Sequence, residues 1–130
     1  IRKSGAKVYL YTTWARQNDP QKQQMITDEY NKLAKDLDAV VVPVGQAWEK
    51  VRKLRPDIQL FDKDGSHPSP SGTYLSACVF YAVLSGKSPL GLTPRILTKD
   101  RNGEKLYLNI QADDDAKFMQ QLVDEMIFSK

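Results

Sequence analysis

Histidine and cysteine are both scarce in this chain of 130 residues, which has one of each, His67 and Cys78. A single cysteine excludes a disulfide within the chain. Cys78 lies in an apolar run, where we expect a small, buried hydrophobic side chain. One histidine with Asp62 and Asp64 nearby offers too few good ligands for a closed zinc site. We therefore expect no metal and no other cofactor.

Long apolar runs and an excess of charge of one sign are also missing. No run approaches the ~18 apolar residues of a membrane-spanning helix. The net charge is +3, and the basic residues are scattered among acidic ones without interleaved aromatic residues. This pattern disfavours nucleic acid as a partner. Apolar residues make up 41% of the chain and charged residues 27%, as in an ordinary globular protein.

The beginning of the chain suggests that something precedes it. The first residue is Ile and not Met, and no signal peptide follows. Residues 1–5 (IRKSG) are typical of the end of a helix, with Gly5 past its C-cap, leading into a strand. We therefore expect residues 1–130 to be the C-terminal part of one longer domain. The sequence itself assigns no compartment.

Two apolar segments predict buried parallel strands, residues 7–14 (KVYLYTTW) and residues 39–44 (AVVVPV). Between them, apolar residues at three- and four-residue spacing predict an amphipathic helix over residues 20–37. A short helix marked by residues 47–54 follows the second strand, and Pro56 ends it.

The second half of the chain predicts two longer helices and a hairpin. Ser69 is the expected N-cap of a largely buried helix over residues 71–84, which Gly86 ends. The turn signal Asn-Gly predicts a hairpin between residues 95–99 and 104–110. A last helix begins near Asp113 or Asp114.

The order of these elements indicates an α/β protein with a parallel sheet. Only two parallel strands are present, and strands buried on both faces need neighbours. We therefore expect further strands to lie outside this chain or to come from a partner chain.

The stretch from Asp64 to Tyr74 (DGSHPSPSGTY) carries the chemistry. Asp64 and His67 are three residues apart, a spacing that in a turn can place both side chains on the same side. The carboxylate can then accept a hydrogen bond from one imidazole nitrogen and leave the other free as a general base. Pro68 favours an extended backbone at His67 and stiffens the turn. The alternative is a turn-capping Asp64 beside an ordinary loop histidine.

Residues 64–69 (DGSHPS), followed by Gly-Thr-Tyr and an apolar helix, resemble the last sequence block of SGNH/GDSL hydrolases. Residues 12–15 (TTWA) and 42–48 (VPVGQAW) are similar to a bacterial subfamily of these proteins, and the resemblance covers about residues 5–92. It implies a flavodoxin-like three-layer α/β fold. This chain would hold only the C-terminal part, with two parallel strands, flanking helices and a small hairpin.

The resemblance implies that His67 is the general base for a serine nucleophile and that Asp64 orients it. The family carries its nucleophile serine and its oxyanion-hole glycine and asparagine in blocks that precede a strand such as the one at Lys7. This chain contains none of these blocks, so a missing N-terminal segment or a second chain is an expected partner. A periplasmic or secreted location in a bacterium would fit the resemblance.

Three further residues are candidate substrate contacts. Trp14 and Trp48 each adjoin the carboxyl end of a predicted strand, where α/β proteins bind ligands, although core packing is equally expected. Arg16 can contact an anionic or sugar substrate, or it can be a solvated loop residue.

We expect this chain to be part of an esterase that acts on small esters, including acylated carbohydrate; the substrate class follows from the resemblance. The alternative is a non-catalytic SGNH-like α/β domain with a binding or structural role.

Overall fold

The computed structural model describes residues 2–129, and they form an α/β structure. Its helices and strands are β1 (Tyr9–Tyr11), α1 (Gln23–Leu37), β2 (Val40–Val42), α2 (Val44–Leu54), α3 (Pro70–Ser85), β3 (Arg95–Lys99), β4 (Lys105–Ile110) and α4 (Asp113–Phe128). Ile1 lies outside the described residues. Arg2–Ser4 form a single 3-10 turn, after which Gly5 adopts a φ of 75°.

β1 and β2 form a parallel pair, in which Tyr9 lies opposite Val40 and Tyr11 opposite Val42. The helix α1 connects them, which makes a βαβ unit. Both strands are shorter than predicted. In the described residues neither has a second neighbour, so regular pairing covers only the three positions where the two strands face each other. Pro43, which has no N–H to donate, directly follows β2.

The apolar face of α1 is covered less than its spacing predicts. Gln23 and Ala34 are buried, whereas Met25 is 57% exposed, Leu33 45% and Leu37 42%. A sheet of two strands is too narrow to cover a fifteen-residue helix along its length. The prediction of a helix is confirmed, apart from a 3-10 turn over Pro20–Lys22 at its start, but much of its apolar face remains in contact with solvent.

The core lies where α2, α3 and α4 meet one another and β2. Its largest buried side chains include Trp48, Leu60, Leu75, Met119 and Val123. The helix α2 begins at Val44, earlier than predicted, because Ala47 N–H already donates to the carbonyl oxygen of Pro43 at 3.2 Å. The helix α3 is less buried than predicted, since seven of its sixteen residues are buried and Ala77, Tyr81 and Leu84 are exposed. Burial of Cys78, which is 1% exposed, is confirmed.

β3 and β4 form the predicted antiparallel hairpin. Asp100 organises its turn, since Oδ1 accepts hydrogen bonds from the N–H groups of Asn102 (2.8 Å) and Glu104 (2.9 Å). The side-chain amide of Asn109 donates to the carbonyl oxygen of Pro70 at 2.8 Å. This bond attaches the hairpin to the start of α3. Among residues 2–129, no helix combines the length and apolarity needed to cross a membrane.

The cap of α3 gives a first test of this fold. Ser69 Oγ accepts a hydrogen bond from Gly72 N–H at 3.1 Å and donates one to the carbonyl oxygen of Gln59 at 2.6 Å. We expect Ser69→Ala to lower the free energy of unfolding by about 1 kcal/mol in urea denaturation. Ser85→Ala is the control, because its exposed hydroxyl lies at the other end of the helix, where it donates to the carbonyl oxygen of Tyr81 at 2.6 Å and accepts from Lys87 N–H at 3.2 Å. Its effect should stay within about 0.5 kcal/mol. Equal effects of the two variants would contradict the capping role.

Candidate functional site

Asp64 and His67 lie in a closed loop over residues 60–69, which we call the dyad turn. Two backbone hydrogen bonds close it, from Asp62 N–H to the carbonyl oxygen of His67 (2.8 Å) and from Ser69 N–H to that of Leu60 (2.9 Å). The turn therefore runs directly into the N-cap of α3. A rigid helix start fixes its C-terminal end, as the two prolines of the motif predict.

The carboxylate of Asp64 uses both of its oxygens inside the turn. Oδ1 accepts hydrogen bonds from the N–H groups of Ser66 and His67, each at 2.9 Å, and Oδ2 contacts Nδ1 of the His67 ring. Gly65, between them, has a φ of 65°, a conformation that favours glycine. The His67 ring and then the two N–H groups hold the pKa of Asp64 well below its usual range. Asp64 is therefore a carboxylate at any pH near neutrality.

The imidazole of His67 is oriented but open to solvent. Asp64 raises its pKa above the ordinary 6.5, by hydrogen bonding first and by charge second; Asp62 adds to this, and Arg16 opposes it. Because Nδ1 faces Asp64, the neutral ring carries its proton on Nδ1 and presents Nε2 as a base. The pairing predicted from the sequence is present, and 79% of the His67 side chain is exposed. The role of the pair in catalysis stays a prediction.

No serine hydroxyl among residues 2–129 forms a hydrogen bond with His67. Three serine hydroxyls at the end of the dyad turn and in α3 have other partners: Ser69 donates to Gln59 (2.6 Å), Ser71 to Gln111 (2.8 Å) and Ser76 to Gly72 (2.8 Å). Burial raises the pKa of the Cys78 thiol to about 12. Cys78 is therefore an inert thiol at neutral pH.

Trp14 and Trp48 lie together beside the dyad turn. Their rings stack at 3.8 Å between centroids and 4° between planes. Trp48 is fully buried, with its Nε1–H donating to Ser76 Oγ at 3.2 Å and the Phe61 ring edge-on at 5.0 Å. Trp14 is half-buried, and its Nε1–H donates to the carbonyl oxygen of Ser66 at 2.8 Å. Trp48 therefore belongs to the core, and Trp14 joins that core to the turn.

An open groove of about 490 Å³ borders this aromatic pair. Its lining combines the two indoles with polar and charged side chains: Gln21, Gln23, Glu49, Arg52 and Lys53, beside Pro20. Lys53 and Glu49 neutralise each other at 2.7 Å. Arg16 is exposed and lies close enough to His67 to influence its pKa. The assignment of Trp14, Arg16 and Trp48 as substrate contacts stays a prediction.

Three residues of the site's surroundings escaped the sequence analysis. Gln23 and Arg52 each hold the loop after β1 by side-chain hydrogen bonds, and Gln17 of that loop bonds the dyad turn through its backbone. For Gln23 a signal existed, because it occupies the same helical face as Ile26, Tyr30 and Ala34. A polar residue on an apolar face often has a buried partner. Arg52 and Gln17 carry no such signal.

In the described part of the chain, no group of three or more His, Cys, Asp or Glu side chains is arranged to hold a metal ion. Comparison of the chain with protein-family models, with curated proteins and with solved structures finds no match.

The coupling of Asp64 to His67 can be measured directly, since His67 is the only histidine of the chain. We expect Asp64→Asn to lower the pKa of His67 towards 6.5, because the amide removes the charge that stabilises the imidazolium. The measurement is a pH titration of the imidazole NMR signals. Asp62→Asn is the matched control and should lower the pKa much less. A larger fall in Asp62→Asn would contradict the pairing.

Proposed function

We propose that this chain is the C-terminal part of a serine ester hydrolase of the SGNH type, in which Asp64 and His67 supply two members of a catalytic triad. The observation that carries the proposal is the contact between Asp64 Oδ2 and His67 Nδ1 in a turn that backbone hydrogen bonds close. A flavodoxin-like three-layer fold for the complete domain belongs to the same proposal.

In this proposal Nε2 of His67 takes the proton of a serine hydroxyl while the serine oxygen bonds to the ester carbonyl carbon. The tetrahedral intermediate then collapses, the bond to the alcohol oxygen breaks, and Nε2 returns the proton to the leaving alcohol. Water repeats both steps on the acyl-enzyme. Asp64 keeps the imidazole in the tautomer that leaves Nε2 free and stabilises the imidazolium as it forms.

The serine and the oxyanion donors would come from a segment or chain outside residues 1–130. Two features support a further part of the domain. β1 and β2 each pair on one edge only within the described residues, and apolar side chains of α1 such as Met25 and Leu33 are exposed. Unpaired edges and exposed apolar faces are surfaces that proteins ordinarily cover.

The groove beside Trp14 supports a small ester or an acylated carbohydrate as substrate. The Trp14 indole, the Gln21 amide and charged groups line it, and sugars combine apolar ring faces with hydroxyl groups that such side chains can bind. Its position after the carboxyl ends of β1 and β2 is where ligands bind in open α/β sheets.

The role of His67 is tested in the longer protein that this proposal requires. We expect His67→Ala to reduce the rate of p-nitrophenyl acetate hydrolysis on the order of 10²–10⁴-fold, because the general base is lost. In the wild type, kcat/KM should rise with pH through the pKa of His67, above 6.5, since only the neutral imidazole accepts a proton. Cys78→Ala is the control and should keep full activity. Full activity of His67→Ala would refute the proposal.

The proposed nucleophile can be located by labelling. A serine-reactive fluorophosphonate should modify one serine of the longer protein, and peptide mass spectrometry should place it outside residues 1–130. Labelling at Ser66, Ser69 or Ser71 would show instead that this chain carries its own nucleophile. The His67→Ala variant should label far more slowly than the wild type.

A non-catalytic binding domain is the second candidate, and the 79% exposure of His67 favours it. Enzymes usually exclude water from their catalytic base. In that case an O-acetylated methyl glycoside should bind and shift the indole NMR signal of Trp14, while the longer protein leaves the ester intact. Hydrolysis of the same compound would exclude this candidate.

A further inference from the structure

The peptide groups between Asp64 and His67 are held from outside the dyad turn. Trp14 Nε1–H donates to the carbonyl oxygen of Ser66 at 2.8 Å. The backbone N–H of Gln17 donates to the carbonyl oxygen of Gly65 at 2.9 Å. Both contacts come from the loop that follows β1, about fifty residues earlier in the chain. This loop therefore bonds both residues that separate the acid from the base.

The indole of Trp14 is itself fixed on two sides. Its ring stacks on the fully buried Trp48. The Gln23 side chain binds the backbone on either side of it, since Oε1 accepts from Ala15 N–H at 2.7 Å and Nε2 donates to the carbonyl oxygen of Thr13 at 3.2 Å. Gly45 makes room for this arrangement, because a Cβ there would lie 2.0 Å from that oxygen. The indole N–H is thus a donor in a fixed position.

Arg52 secures the second contact. Its Nη2 donates to the carbonyl oxygen of Gln17 at 2.7 Å, and its guanidinium group lies over the Phe61 ring, 5.0 Å from the centroid. Phe61 belongs to the dyad turn and packs edge-on against Trp48. Arg52 therefore joins the loop, the turn and the aromatic core.

The dyad needs support of this kind because packing cannot provide it. The side chains of His67 and Asp64 are 79% and 49% exposed, so few contacts restrict either rotamer. The contact between the two side chains depends on the backbone of residues 64–67, which presents the two N–H groups that bind Asp64 Oδ1. Whatever fixes the carbonyl groups of Gly65 and Ser66 also fixes those N–H groups.

We propose that Trp14 and Arg52 are positioning residues of the Asp64–His67 pair, acting through the carbonyl groups of Ser66 and Gln17. Trp14 is then not primarily a substrate contact. As a part of catalysis the assignment rests on the proposed hydrolase function, but the geometric claim can be measured without any activity.

The test is an NMR titration of His67, combined with ¹⁵N shifts that report which ring nitrogen carries the proton. Trp14→Phe keeps an aromatic ring on Trp48 and removes the N–H donor. We expect it to lower the pKa of His67 to a value between those of the wild type and Asp64→Asn. It should also raise the fraction of neutral rings protonated on Nε2, the tautomer that a free imidazole prefers.

The matched control is Trp48→Phe, which removes an indole N–H from the same stack. That N–H binds Ser76 and not the dyad turn. The phenyl ring of this variant would still lie under Trp14 and would leave the Trp14 N–H on Ser66. Trp48→Phe should therefore shift the pKa and the tautomer of His67 clearly less than Trp14→Phe does, even though it opens space in the core and costs more stability. If Trp48→Phe shifts His67 as much as Trp14→Phe does, general loosening explains both, and the proposal is refuted.

Arg52→Met is the second variant and decides the question alone if Trp14→Phe does not fold. The groups whose charge acts on His67 are Asp64, Asp62 and Arg16, and all three are retained. Loss of the Arg52 cation can only raise the pKa of a nearby histidine, whereas loss of positioning lowers it. A lower pKa supports the proposal; an unchanged or higher one refutes it for Arg52.

The two proposals fail separately. Shifts of His67 in Trp14→Phe without any esterase activity in the longer protein would support the positioning role and reject the hydrolase. Full esterase activity that depends on His67, with no change in the pKa or tautomer of His67 in either variant, would support the hydrolase and reject the positioning role. For an active enzyme, positioning also predicts a fall in kcat that exceeds any change in KM.

Discussion

The two carboxylate oxygens of Asp64 have different partners, and the geometry of the site depends on both sets of contacts. One oxygen accepts the two backbone N–H groups that shape the turn, and the other meets the imidazole of His67. A single carboxylate therefore both shapes the turn and orients the imidazole. Because each of these partners stabilises the ionised form, the pKa of the acid falls while that of His67 rises. The side chain of Asp64 thus determines both the conformation of the turn and the direction in which the pKa of His67 shifts.

The surroundings of the turn explain how an exposed pair can keep a defined geometry. Trp48 lies in the core between α2 and α3 and carries the ring of Trp14 on its face. Phe61 of the dyad turn packs edge-on against the ring of Trp48. Aromatic contacts and hydrogen bonds to the backbone thus connect the surface turn to the close-packed interior and restrict its conformation. This agrees with the general requirement that a functional pair be held by supporting contacts.

Several surfaces of the molecule expose groups that proteins ordinarily cover. The parallel sheet has two strands, α1 exposes apolar residues such as Met25, and the imidazole of His67 faces solvent. A covering segment that completed the sheet could shield all three together, and it is where the proposed nucleophile would reside. The proposed hydrolase therefore also accounts for these exposed surfaces, because the segment that carries the nucleophile would cover them. The hairpin of β3 and β4, which exposes Leu106 and Leu108, is not explained by it.

Local patterns in the sequence were enough to determine the start and end of α3, the hairpin turn at Asp100 and the pairing of Asp64 with His67. Each depends on residues within a few positions of one another, where spacing and backbone preference decide the outcome. Tertiary structure alone decided the burial of Trp48, the short strands and the uncovered face of α1, since these depend on which neighbours are present. It also decided the bond from Trp14 to Ser66, which joins residues 52 positions apart. No local preference encodes such a contact, because only packing of the two loops on one core brings donor and acceptor together.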